Sequence, residues 1–303
     1  MVADWRKKRC IRRIVRSHNT RFDPTKHELR YRGSKWKVEK AKGGFCHSLY
    51  VSGDGLALRL KLSPTRQPLT MGLLPLGLLG SVNYYAVPNL ICSGEVQFGS
   101  ESVSIKGRAW IDRMWGTWEP AGFARWEWIS MMMNDGTSAV VFAVYHPVRA
   151  RVLLSAVLVS QQKNSRQVNH HGIRITRLKE WKSKQTQVAY PVSWRITSED
   201  PATDLIVVPK FDSQEFRSYL WEGVCSFSGR LDGRRVQGDA YGEVLYGLAQ
   251  TEMTLTGLML LYYETIRYGV RKISRQAADQ LDTISARFGG KLLSPYWGDT
   301  NST

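Results

Sequence analysis

Between residues 34 and 147 the chain breaks into short runs in which polar and apolar residues alternate, or apolar residues follow one another, with Gly, Pro, Asp or Asn at the ends. KWKVEKA, LALRLKLS and SVSIKGRAWID alternate; VNYYAVPNLICSGEVQF, RWEWISMMM and TSAVVFAVYH are richer in apolar and aromatic residues. Period-two alternation and β-branched or aromatic content predict strands. Asn134-Asp135-Gly136, between WEWISMMM and TSAVVFAVY, predicts a hairpin turn. A second set follows over 151–248: RVLLSAVLVS, GIRITRLKEW, TQVAYPVSWRIT, TDLIVVPKF, YLWEGVCSFSGRL and AYGEVLYG, with another tight turn at Asp232-Gly233. The expected fold is all-β: two consecutive antiparallel sheets, each closed or sandwiched, over 34–148 and 149–249.

The period changes after residue 250. Leu255, Met259, Tyr262, Ile266, Val270, Ile273, Ala277, Leu281, Ile284 and Phe288 recur at steps of three and four. That spacing predicts a C-terminal amphipathic helix over 250–290, followed by a tail, 291–303. The stripe suits packing on the protein's own sheets or on a second copy, or lying in an anionic membrane surface.

Charge adds an arm to this plan. Residues 1–42 hold fifteen basic and four acidic side chains, +11 of the net +17, and 1–33 reads as a basic N-terminal arm. Such a segment suits an anionic membrane or plain solvation. Nucleic acid is disfavoured, because no zinc-finger, helix-turn-helix or RNP-like pattern accompanies the charge. With no continuous apolar stretch near the N-terminus and none of about 20 residues anywhere, the reading is a cytoplasmic protein, at most peripherally bound to membrane. Cys10, Cys46, Cys92 and Cys225 are far apart and are expected to be reduced, buried thiols. His170-His171 lacks a third ligand at a metal-like spacing, so neither a metal nor an organic cofactor is expected.

The candidate chemistry is concentrated in residues 107–136, GRAWIDRMWGTWEPAGFARWEWISMMMNDG, which hold five of the eleven tryptophans and Asp112. If these rings line one cavity, burial favours the protonated acid, and indole faces stabilise a cation formed when the proton is delivered. Tryptophans at alternate positions equally describe the core of a sheet. On a strand, Trp110 and Asp112 share one face, and so do Trp126 and Trp128. His47 faces a pocket or sits satisfied in a core, and the apolar, glycine-rich 69–80 reads as a cap or as buried core.

GRAWIDRMWG followed by RWEWISMMMNDG resembles the lipocalin-like carotenoid 1,2-hydratase family (hydroxyneurosporene synthase), known also through the AttH-like domain. The matching positions are Gly107, Ala109, Trp110, Asp112, Trp115, Gly116, Trp126, Glu127, Trp128, Asp135 and Gly136. Upstream, Tyr84, Tyr85, Pro88 and Gly94 look like that family's aromatic strand. Downstream, YPVSWRI, Trp221-Glu222-Gly223 and the segment with Gly238, Tyr241, Glu243 and Gly247 resemble its closing motifs.

The resemblance implies two lipocalin-like β-domains and a cofactor-independent enzyme, a hydratase (a carbon–oxygen lyase) or cyclase. It would protonate a double bond of a hydrophobic isoprenoid or polyene. A pericyclase and a non-catalytic carrier of such a ligand are the alternatives. Asp112 is then the acid, with Trp110, Trp126, Trp128, Tyr85, Tyr84, Trp115 and Glu222 at the substrate and Glu243 as a further motif carboxylate. The chain departs from the family at Arg113, where many members carry histidine. A guanidinium within reach of Asp112 would depress its pKa, though strand alternation turns the two side chains to opposite faces.

Overall fold

The computed structural model describes residues 2–11, 20–31, 33–41, 44–53, 55–66, 68–75, 81–116, 125–145, 152–160, 165–169, 172–217 and 219–245. The helix expected over 250–290 and the 291–303 tail lie outside the described residues, as do Trp118 and His170-His171. Every regular element among the described residues is a β-strand, and Met1–Ala249 forms one compact unit.

A two-stranded hairpin, β1 (Val2–Asp4) with β2 (Arg9–Ile11), comes first. The first sheet contains β3 (Thr20–Asp23), β4 (Glu28–Tyr31), β5 (Ser34–Ala41), β6 (Gly44–Gly53), β7 (Leu56–Ser63), β8 (Leu69–Pro75), β9 (Ser81–Phe98) and β10 (Glu101–Gly116). Its order is β10-β9-β7-β6-β5-β4-β3, with β8 added to the first half of β9. Two expectations change here. The basic arm is structured: β3 and β4 extend the sheet from β5. Of the two readings of 69–80, the cap does not hold as far as Pro75, because that stretch pairs with β9 as β8, and Leu69 belongs to buried core.

The second sheet contains β11 (Arg125–Met133), β12 (Ser138–Tyr145), β13 (Val152–Ser160), β14 (Ser165–Asn169), β15 (Arg174–Lys182), β16 (Ala189–Ser198), β17 (Thr203–Pro209), β18 (Glu215–Arg217), β19 (Leu220–Leu231) and β20 (Arg234–Leu245). Its order is β14-β13-β12-β11-β20-β19-β17-β16-β15, with β18 on β19. The chain changes sheet between Gly116 and Arg125, upstream of the boundary between 148 and 149 read from the sequence. β11 pairs with β12 on one side and with β20 on the other. Both predicted turns form. Gly136 adopts φ 82°, and Asp232 and Gly233 adopt 49° and 74° between the paired residues Leu231 and Arg234. A two-residue hairpin loop with positive φ at both positions matches the twist of its strands.

Inward residues of this sheet meet in one large core. Ile129 and Met131 from β11, Trp194 and Ile196 from β16, Leu205 and Val207 from β17, and Trp221 from β19 all belong to it. Trp194 and Trp221 stand edge to face with ring centroids 6.0 Å apart. Both indoles lie over Gly242, where a Cβ would come within 3.2 Å of Trp221 and 3.3 Å of Trp194. The first sheet has a smaller core of its own, Leu62, Val87, Leu90 and Cys92. Among the cysteines, Cys92 and Cys225 are buried as expected, whereas Cys10 and Cys46 are only half-buried.

A third core joins the two sheets: Val82, Tyr84 and Ala86 of β9 pack with Trp128, Val140, Phe142 and Val144 of β11 and β12. Two hydrogen bonds flank it, Asn89 Nδ2 to the Gly136 carbonyl at 3.3 Å and Arg108 Nη1 to the Met133 carbonyl at 3.3 Å.

Candidate functional site

The site is built on the β9–β10 pair. The register slips where Ala109 pairs with Leu90 but Ile111 with Val87, so Pro88 and Asn89 together oppose Trp110. Proline is tolerated at such a bulge because its missing N–H has no ladder partner to lose, and bulges re-aim the side chains beside them. Beyond the bulge Asp112 pairs with Ala86 and Met114 with Tyr84. Directly opposed residues share a face, so Trp110, Asp112, Met114 and Tyr84 all look toward the second sheet.

Trp126 and Trp128 face them from β11, packed in the same core. Trp128 Nε1 donates to the Tyr84 hydroxyl at 3.0 Å, and the Trp110 and Trp128 rings are edge to face with centroids 6.0 Å apart. Behind them Glu222 and Glu243 lie directly opposite each other on β19 and β20. Like charges so placed repel, and each carboxylate has its own donor. The Tyr241 hydroxyl donates to Glu222 Oε2 at 2.8 Å, and Trp126 Nε1 to Glu243 Oε1 at 2.7 Å. Trp110 Nε1 is buried close to the Tyr84 hydroxyl.

Asp112 takes its character from this setting. Burial pushes its carboxyl from the ordinary 3.8 up to about 6, and the charge of Glu222 pushes the same way, against a backbone hydrogen bond that pulls it down. Asp112 is nonetheless an exposed residue, so the acid stands at an open rim and not in a sealed pocket. Burial, aided by Asp112, raises the Tyr84 hydroxyl; burial, aided by Glu222, raises that of Tyr241. Both phenols therefore stay neutral donors through the physiological range. Three carboxyl groups, two phenols and three indoles converge where the sheets meet. Among the described residues no set of three or more His, Cys, Asp or Glu is placed to hold a metal ion.

Not every predicted residue is here. Tyr85 and Trp115 lie on the opposite face of β9 and β10, edge to face with centroids 5.9 Å apart. With Arg113, which pairs with Tyr85 in register, they line a cavity of about 920 Å³ inside the first sheet. Tyr84 also lines that cavity, whereas Asp112 does not. Arg113 thus faces away from Asp112 and takes no part in its shift.

Glu127 belongs to a third place. It is wholly buried on the core side of β11, where Arg177 Nε donates to it at 2.7 Å and the Tyr145 hydroxyl at 3.2 Å. Glu243 and Tyr241 were legible only as motif positions. Their two-residue spacing on β20 puts both on the Glu222 side, and that spacing was the available signal.

The structure is similar to two solved proteins. One is a Nitrosomonas europaea protein described as an AttH, with TM-score 0.59 and 24% identity over 70% of this chain and 68% of that one. The other is kievitone hydratase from Nectria haematococca, with TM-score 0.56 and 18% identity. That similarity covers 66% of this chain and 64% of the hydratase, so the chain spans less than two thirds of the hydratase's length. At these identities the likeness carries the fold alone. No curated protein matches the sequence. Residues 2–247 match the profile of the family described as AttH-like, and the chain belongs to that family.

Proposed function

We propose that this protein is a hydratase or cyclase that works by proton delivery, without a cofactor, on a double bond of a hydrophobic isoprenoid or polyene. The observation that carries the reading is Asp112, an acid raised to about 6 beside Tyr84, Trp110 and Trp128. Protonating an unactivated alkene needs an acid that still holds its proton near neutral pH and surroundings that tolerate the resulting cation. Membership of the AttH-like family supports the reading, as does the fold shared with kievitone hydratase.

In this scheme the Asp112 carboxyl gives its proton to one alkene carbon and the π pair forms the new C–H bond. The cation left on the other carbon faces the indole rings and the negative charges of Glu222 and Glu243. Water then forms the C–O bond and returns a proton to Asp112, so the acid is regenerated and the product is heavier by one water. If an internal double bond attacks in place of water, loss of a proton gives a cyclised isomer. The net charge of +17 suits collecting such substrates from an anionic membrane surface.

The test is mass spectrometry of detergent-dispersed acyclic isoprenoids and polyenes incubated with wild-type protein and Asp112→Asn. Turnover is expected to fall roughly 10²–10⁴-fold in the variant, the usual worth of a positioned acid, with affinity retained. Equal turnover by the two proteins would remove Asp112 from the chemistry and point to a pericyclase. Substrate that co-purifies unchanged with wild type would mark a carrier.

A further inference from the structure

The first sheet encloses more space than the Asp112 site uses. The walls of its cavity of about 920 Å³ include Phe22, Leu29, Trp36, Val38, Phe45 and Val87, and ligand pockets typically run to about 300–1,000 Å³ with mostly apolar walls. Its charged groups are of one sign: Arg66 and Arg113 line it, and no carboxylate does so among the described residues. Nε and Nη1 of Arg66 are buried and have no hydrogen-bond partner among the described residues. Its third nitrogen, Nη2, lies at the 134–136 turn, beside Gly136 and within electrostatic reach of Asp135. Buried guanidinium donors without an acceptor are costly, and an anionic oxygen is the strongest acceptor a ligand can bring to an arginine that lines the cavity.

His47 adds a polar group without adding charge. Burial holds its pKa down. Trp36 Nε1 donates to its Nδ1 at 3.3 Å, which leaves the proton of the neutral ring on Nε2.

We propose that this cavity is a binding site for an apolar molecule bearing a carboxylate, with the hydrocarbon against Trp36, Val38 and Val87 and the carboxylate on Arg66. Arg113 supplies a second positive charge on the Tyr85 side. The site is separate from Asp112, on the other face of β9–β10, and does not depend on the proton-delivery reading. A neutral polyene fills the volume but leaves Nε and Nη1 of Arg66 without an acceptor; a hydrophilic anion supplies one but wets the walls.

The test is fluorescence titration of the full chain with cis-parinaric acid and with its methyl ester. The acid is expected to bind once per chain and about tenfold or more tighter than the ester, the worth of a hydrogen bond to a charged group. Arg66→Gln should weaken the acid to the level of the ester and leave the ester unchanged. Arg66→Lys should keep most of the preference, and Asp112→Asn all of it. Displacement by palmitic acid or by farnesoic acid then tells a linear natural ligand from an isoprenoid one. Equal binding of acid and ester, or binding of neither, overturns the proposal. So does loss of acid binding in Asp112→Asn but not in Arg66→Gln. If Arg66→Gln does not fold, the wild-type comparison of acid with ester decides alone.

Discussion

The two sheets share antiparallel pairing and alternating sequence but differ in what they enclose. The second is filled by its own side chains: Tyr190, Trp194, Ile196, Leu205, Val207 and Trp221 have essentially no exposed surface. The first leaves about 920 Å³ between inward residues that are mostly half-buried, Trp36, Val38 and Tyr85 among them. Alternation decides which side chains point inward, but only their summed volume, set against the curvature of the sheet, decides whether they meet. One sheet is therefore a scaffold and the other a container, and the Asp112 site lies where the first presents its outer face to the second.

The largest effect expected from this contrast is on stability. Trp221→Ala should cost roughly 3–5 kcal/mol, the transfer and cavity terms for a core tryptophan. Against a typical total of about 5–15 kcal/mol that is a large share. Trp36→Ala removes a ring that already borders empty space and should cost only about 1–2 kcal/mol, mainly the hydrogen bond to His47 and some buried area. Denaturant unfolding of the two variants measures the difference; equal costs would mean that the first sheet is packed as tightly as the second.

Much of this plan was legible. Every run from KWKVEKA to AYGEVLYG became a strand, because period-two patterning is imposed by the backbone itself. Partnership was not legible. RWEWISMMM and TSAVVFAVYH read as the end of a first domain, yet β11 pairs with β20, more than a hundred residues away, and no local signal encodes that. TRFD and ELRY were absorbed into a basic arm because their charges hid a hairpin. At the site, Trp110 and Asp112 could be placed on one face by counting along β10. Tyr84 and Tyr85 could not be sorted, since the bulge at Pro88 and Asn89 breaks the count between the strands. The cavity itself is a property of assembled volumes, and no stretch of sequence displays it.

The contrast can be sharpened by adding volume. Val38→Phe places atoms in the first-sheet cavity and should change stability by less than about 1 kcal/mol, because the space exists to receive them. It should also weaken parinarate binding. Gly242→Val pushes a branched side chain against Trp194 and Trp221 and should cost about 1–3 kcal/mol or more, the range for overpacking a filled core. Thermal unfolding of both variants gives the answer. A strongly destabilised Val38→Phe would mean that the cavity does not persist in solution.

The smallest effect concerns the acid between the sheets, and its sign is diagnostic. Asp112 binds its proton more tightly in the folded chain, at about 6, than at the ordinary 3.8 of an unfolded one. Between those values the folded state holds a proton that the unfolded state has released, so stability falls as pH rises through the window and levels off above it. Glu28, Asp23 and Asp204, whose hydrogen-bonded carboxyls lie below the ordinary range, act in the opposite sense and lose stability as pH falls. The measurement is therefore the difference between wild type and Asp112→Asn, in which those groups cancel. Two undiminished pK units would give about 3 kcal/mol, and the open side of Asp112 reduces this well below that figure. The variant should gain on wild type from pH 4 to about pH 6 and stay level beyond. A flat difference would mean that Asp112 titrates as an ordinary surface carboxylate; it would then be ionised at neutral pH, and the proton for the alkene would have to come from another group.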